Sequence, residues 1–147
     1  MHVDVTTSVV INRPAEQVAG YASDPDNVPA WYANIKSIEW KTPRPLQVGS
    51  RLAFVAHFLG RRLEYTYEVV EWIPGKRFVM RTADGPFPME TTYSWEALAD
   101  RQTQMTLRNR GRPAGFAKWL APFMAFAVRR ANQKDLTLLK KRLEVAR

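Results

Sequence analysis

The side chains able to do chemistry in this 147-residue chain are few and widely spaced. There are two histidines, His2 and His57, and no cysteine. Neither histidine belongs to a His-x-x-x-His pair or sits beside carboxylates at ligand spacing, so no metal site is expected. Without cysteine there is no thiol nucleophile, disulfide or iron–sulfur ligation, a composition that fits a reducing compartment. His57 falls on the strand phase of Arg51, opposite Phe54, Ala56 and Phe58, which assigns it to an outer, solvated face. No Gly-x-Ser-x-Gly elbow, phosphate-binding glycine loop or dinucleotide fingerprint occurs, and no cofactor is expected. An acid or base would have to come from isolated groups: a tyrosine, Arg81 if it turns inward, or Glu90. Burial in an apolar pocket raises the pKa of a carboxyl or phenol, as a general acid near neutral pH requires. Spacing does not bring these groups together, Arg81 and Glu90 read as surface ion-pair formers, and the catalytic residues stay unassigned.

The elements that must position these groups follow from periodicity. Residues 2–11, HVDVTTSVVI, alternate as a strand with Val3, Val5, Val9 and Ile11 on one face. Arg13-Pro14-Ala15-Glu16 starts a helix with Pro14 at its first position. Ser23-Asp24-Pro25 starts a second, with Asp24 as its cap. Between Ile35 and Gly111 six segments rich in β-branched and aromatic residues are separated by turn formers such as Val48-Gly49-Ser50, Pro74-Gly75 and Asp84-Gly85-Pro86, the pattern of an antiparallel meander. In 62–73, Leu63, Tyr65, Tyr67, Val69 and Ile73 share one face and Arg62, Glu64, Thr66 and Glu68 the other, so one side of the sheet is covered. The cover is the remaining segment, Ala114 to Arg147, read as one long helix. Its apolar stripe runs through Phe116, Leu120, Phe123, Ala127 and Ala131, then shifts to Leu136, Leu139 and Leu143; carried back toward Val128, the second stripe meets the polar Asn132. Pro122 should bend or break this helix.

Length and composition are those of one globular domain over residues 1–147, with 46% hydrophobic and 12% aromatic residues. No signal peptide is evident in MHVDVTTSVVI, the window 113–128 is too short to span a bilayer, and a cytoplasmic location is expected. The net charge of +8 is concentrated in the C-terminal quarter: up to Leu107 there are 11 basic and 12 acidic residues, and from Arg108 onward 11 basic and 2 acidic. Arg108, Arg110 and Arg112 lie on one strand face, and Arg129, Arg130, Lys134, Lys140, Lys141 and Arg142 decorate the long helix. Such a surface suits solvent, the helix C-terminal dipole, or transient contact with an anionic membrane. No nucleic-acid module is present, so nucleic acid is not expected as a partner.

The order strand, two short helices, six strands, long helix defines an α+β fold. At this level the sequence resembles the START/birch-pollen-allergen (SRPBCC) superfamily, and within it the polyketide cyclase/dehydrase-like branch. The resemblance is carried by Ile11-Asn12-Arg13-Pro14-Ala15-Glu16-Gln17-Val18, by Ser23-Asp24-Pro25 with Trp31, by Tyr67 through Phe78, by Tyr93-Ser94-Trp95-Glu96, by Thr103 through Leu107 and by the helical ending Asp135 through Glu144. It implies a helix-grip fold, a curved seven-stranded antiparallel sheet wrapped around the C-terminal helix, with an apolar cavity between them. Proteins of this kind bind lipids, polyketides or aromatic molecules, and a minority catalyse cyclisation or dehydration in the cavity.

On that basis the expected ligand-binding residues come from the covered sheet face and the N-terminal half of the long helix: Tyr65, Tyr67, Met80, Met89, Tyr93, Trp95, Phe116, Leu120, Phe123, Met124 and Ala127. Of the pair Trp31-Tyr32, Trp31 is assigned to the core and Tyr32 to the rim of the cavity. Covered tyrosine hydroxyls need partners, which a partly wet pocket supplies. The expected partner is a small hydrophobic molecule, bound or carried by a monomer or homodimer. A cyclase/dehydrase-like enzyme in the same cavity, or a protein- or membrane-interaction module using the basic helix, are the alternatives. Trp119 and Phe126 fit either a dimer contact or a cavity mouth.

Overall fold

Why one face of the sheet is apolar and the other charged is visible in the first strand of the computed structural model, which describes residues 3–58, 60–85, 88–112 and 116–145, and side-chain surroundings for all of these except 58 and 116–122. In β1 (Val3–Ile11) the residues Val3, Val5, Thr7 and Ile11 are buried and their neighbours exposed. Alternation at period two sends one set of side chains inward and the other to water. Six more strands follow: β2 (Ile35–Trp40), β3 (Arg51–Phe58), β4 (Arg61–Ile73), β5 (Arg77–Asp84), β6 (Met89–Ala99) and β7 (Gln102–Gly111). They form one antiparallel sheet in the order β1-β7-β6-β5-β4-β3-β2. The chain thus runs as a meander from β2 to β7, and β1 closes it beside β7. Gly75, at a φ of 78°, makes the β4–β5 turn in a backbone region that residues with a Cβ seldom adopt.

The register corrects one assignment. Leu63, Tyr65, Tyr67 and Val69 are buried on one face of β4, but Ile73 is 49% exposed. A bulge between Val69 and Glu71 shifts the pairing with β5 and exchanges the faces, so that Trp72 packs on Phe78 instead, with ring centroids 6.3 Å apart.

Between β1 and β2 lie α1 (Ala15–Ser23), a 3-10 turn (Pro25–Asn27) and α2 (Val28–Trp31). Pro14 stands one position before α1. Asp24 caps the turn through a hydrogen bond from the Asp26 amide to its Oδ1, 3.0 Å long.

The long helix α3 (Phe116–Val145) is continuous through Pro122, with no break there. Its buried face also differs from the expected one. Met124, Val128, Asn132, Asp135, Leu136, Leu139 and Leu143 are all buried. At about 100° per residue they form a single stripe, into which the C-terminal leucines extend without a change of face. Phe123 and Ala127 fall to one side of it, and Phe123 is 67% exposed. Asn132 does not interrupt the stripe, because its side-chain oxygen has a partner inside the protein. The helix packs chiefly along β1, with smaller contacts to α2 and β7. Polar ties hold it there: Lys140 Nζ donates to the Val10 carbonyl at 2.9 Å, and the Asn12 amide to Glu144 Oε2 at 2.8 Å. Seated on that edge, α3 leaves the concave face of β3 to β6 incompletely filled. This is the helix-grip arrangement.

Candidate functional site

The unfilled space is a cavity of about 100 Å³. Phe54, Leu63, Tyr65, Tyr67, Met80, Met89 and Tyr93 contribute its sheet wall, and Met124, Val128, Ala131 and Asn132 its helix wall. Val28, Tyr32, Asn34 and Ile35 close the end nearest α2. The volume exceeds that of a single water several-fold and approaches that of cavities that accept one aromatic ring. Offset and edge-to-face contacts fix the aromatic walls: Phe54–Tyr67 at 5.5 Å and Tyr65–Tyr67 at 5.9 Å between centroids, and Trp31–Tyr93 at 5.6 Å behind them.

One strip of the wall is polar and hydrogen-bonded in series. The Thr91 hydroxyl donates to Asn109 Oδ1 at 2.6 Å, and Asn109 Nδ2 donates to the Tyr32 hydroxyl at 3.1 Å. The Tyr32 hydroxyl then donates to Asn132 Oδ1 at 3.3 Å. The series ends at Asn132 Nδ2, which is buried and has no protein partner. An amide donor left unpaired inside a protein costs free energy unless a water or ligand meets it. Behind this strip stands Asp135, whose Oδ1 accepts the Ala33 amide at 2.9 Å while Oδ2 is buried without a partner.

The electrostatics follow from this burial. Desolvation pushes the Asp135 carboxyl up to about 7, opposed by the Ala33 amide and by Lys134. Tyr32 is raised well above the ordinary phenol value, first by burial and then by the nearby Tyr93 and Asp135, while the bond from Asn109 lowers it. Tyr67 is pushed up to about 12 by burial, partly offset by a hydrogen bond with Thr91. Tyr65 and Tyr93 are raised by burial too. These phenols therefore stay protonated near neutrality and can donate hydrogen bonds but not serve as bases.

The sequence matches the family described as polyketide cyclase/dehydrase and lipid transport over residues 2–144. The chain belongs to that family. With it goes membership of the START/SRPBCC superfamily. A Thermus thermophilus protein superposes with a TM-score of 0.83 at 19% identity, covering 97% of each chain. The Zhui aromatase/cyclase of Streptomyces sp. R1128 does so with a TM-score of 0.82 at 16% identity, over 98% of this chain and 94% of that one. A START superfamily protein of Mycobacterium smegmatis gives 0.81 at 17% identity, over 98% of both chains. At these identities the likeness is one of fold. Among curated proteins none matches significantly.

In this polyketide cyclase/dehydrase and lipid transport family member, seven of the expected residues meet at the cavity: Tyr32, Tyr65, Tyr67, Met80, Met89, Tyr93 and Met124. Trp95 is buried but lies beyond Tyr93, at 6.3 Å between ring centroids, and does not reach the cavity wall. Phe123 points outward and Ala127 sits beside the lining, because the inward stripe of α3 is the one through Met124 and Val128. The side chains of Phe116 and Leu120 lie outside the described residues. Tyr32 is half-buried at the end of the cavity nearest α2, and its phenol reaches inward to Asn109 and Asn132. Trp31 is fully buried in the core. His57 is exposed, and Arg81 pairs with Glu90 at 3.0 Å on the outer face, so neither enters the cavity. Among the described residues no group of three or more His, Cys, Asp or Glu could hold a metal ion. The lining residues missed by sequence reasoning include the apolar Val28, Ile35, Phe54, Leu63 and Val128 and, of more chemical weight, the polar Thr91, Asn109 and Asn132. Their one signal is phase: Asn109 shares a face with Met105 and Leu107, and Asn132 one with Val128 and Leu139.

Proposed function

We propose that the protein binds a small hydrophobic molecule in this cavity, and that the molecule is an apolar, ring-sized body carrying one hydrogen-bond acceptor. The observation that carries the reading is the buried, unpaired Asn132 Nδ2 at the end of the Thr91–Asn109–Tyr32 series, in a wall that is otherwise almost wholly apolar. An acceptor such as a ketone oxygen would complete the series, and the apolar remainder would gain from leaving water. Tyr32, Tyr65, Tyr67, Met80, Met89, Tyr93 and Met124 are the contact residues of this reading. Trp95, Phe123 and Ala127 leave the set.

Family membership also admits a cyclase- or dehydrase-like reaction. Proton transfer would then need a group that exchanges a proton near neutral pH, and the raised phenols do not supply one. Asp135 has the required pKa but stands behind Tyr32, outside the cavity wall. Binding is therefore the reading the site supports better.

The test compares acetophenone with α-methylstyrene, which has the same shape and a methylene in place of the ketone oxygen. Calorimetric or NMR titration should show acetophenone binding about tenfold tighter, and Asn132→Leu should abolish that preference. Failure of both compounds to bind the wild-type protein, or an equal affinity for the two, would overturn the assignment.

A further inference from the structure

The outward face of α3 carries a composition that the cavity does not explain. Phe123 and Phe126 are 67% and 69% exposed. At about 100° per residue they share one side of the helix with Arg130, Gln133, Lys134, Thr137 and Lys141, diametrically opposite the buried stripe. Arg129, Arg130, Lys134 and Lys141 rim a shallow groove that begins at Phe126 and takes in Leu138. Several cations of the sheet have carboxylate partners: Arg51 pairs with Glu68, Arg62 with Glu64, Arg77 with Glu71 and Arg108 with Asp4, while Arg81 and Arg110 share Glu90. On α3 only Lys140 has a carboxylate partner, Glu144, among the described residues. Much of the positive charge of the sheet is thus paired within the protein, while Arg130, Lys134 and Lys141 on the helix stand beside two exposed phenylalanines.

We propose that this face of α3 docks on an anionic bilayer surface, with Phe123 and Phe126 entering the boundary between headgroups and acyl chains and Arg130, Lys134 and Lys141 meeting lipid phosphates. An acidic protein would satisfy the cations but has no use for two exposed rings beside them. A single-stranded nucleic acid can stack on rings, but it needs aromatic side chains repeated along its charged track, whereas here both rings lie at one end and cations alone line the next several turns. A planar surface that is negative outside and oily just beneath matches both features at once. The arrangement has a consequence for loading. Met124 and Val128, on the other side of the same two turns, line the cavity, so docking brings that space within roughly 10 Å, one helix diameter, of the lipid. The contact itself does not depend on what the cavity holds.

The experiment is co-sedimentation of the full chain with unilamellar vesicles of phosphatidylcholine and phosphatidylglycerol (about 7:3), against phosphatidylcholine alone, at about 0.05 M and about 0.5 M sodium chloride. Binding is expected on the anionic vesicles at low salt and release at high salt. The double variant Phe123→Ser/Phe126→Ser should bind at least about tenfold more weakly, and Arg130→Glu/Lys141→Glu should lose a similar or larger factor. Both variants should keep the wild-type unfolding midpoint and acetophenone affinity, which separates this surface from the cavity. Absence of binding to anionic vesicles, full retention of binding without the two phenylalanines, or tighter binding to a single-stranded oligonucleotide would each overturn the proposal. So would a concentration-dependent dimer that the phenylalanine substitutions dissolve, since the rings would then belong to a second copy.

Discussion

Asp135 shows how one buried group sets a property of the whole protein. It is 1% exposed, its single hydrogen bond ties the end of α2 to α3, and burial pushes its pKa up to about 7 from an ordinary 3.8. A raised carboxyl pKa means that the folded state holds the proton more tightly than the unfolded chain does. The contribution of this group to stability is therefore greatest below about pH 4, falls as pH rises from about 4 to about 7, and levels off above. Asp135→Asn keeps an oxygen for the Ala33 amide and never ionises. The variant should lack this component of the pH dependence and be at least as stable as the wild type at pH 8, as urea denaturation at pH 5 and pH 8 will show. Parallel profiles for the wild type and the Asp135→Asn variant would mean that the carboxyl is not desolvated as described.

At the scale of elements, the cavity wall depends on a close approach between strands. Gly85, just past the end of β5, leaves room for the Tyr65 ring on β4: a Cβ placed there would lie 2.6 Å from Tyr65 Cδ1 and 3.2 Å from Cε1. Ring atoms cannot yield as the tip of a lysine can. Gly85→Ala should therefore displace the Tyr65 ring, cost about 1–3 kcal/mol in chemical denaturation, and change acetophenone affinity by more than the stability loss explains. An unchanged affinity would remove Tyr65 from the wall. The glycine could be read in the sequence only as a turn former, because its real neighbour comes from a strand 20 residues earlier. The strands themselves were legible. Alternation in β1 and β4 survives in the buried faces, and Ile73 departs only because a bulge, which has no marker in that run, exchanges the faces. The helix face was misread for a related reason. Phe123, Ala127 and Ala131 make a plausible apolar row, and the polar Asn132 interrupts the correct one on paper. Its compensation is a hydroxyl 100 residues away, and such a partner is invisible to periodicity.

For the molecule as a whole, the relation between helix and sheet decides what can be bound. α3 sits over β1 and is held there by Lys140 and Glu144 near its C-terminal end, while Met124 and Val128 near its N-terminal end face the space over β3 to β6. On the proposed reading, a guest in the cavity would be limited in size by one helix wall, not by the sheet, whose aromatic rings brace one another. Met124 is 3% exposed and lines this wall. Met124→Ala removes core contacts and should cost about 2–5 kcal/mol, the range for truncating a buried aliphatic side chain. It should also lengthen the cavity along the helix, admitting 2-acetonaphthone, which carries the same ketone on two fused rings. The affinity ratio of 2-acetonaphthone to acetophenone is expected to rise at least about tenfold over wild type, read by titration well below the unfolding midpoint of the variant. Binding of the larger ketone should also restore part of the lost stability, since a ligand that occupies the vacated volume binds only the folded state. If the ratio is unchanged while the protein stays folded, the helix does not bound the site, and the apolar face of the sheet alone must select the guest.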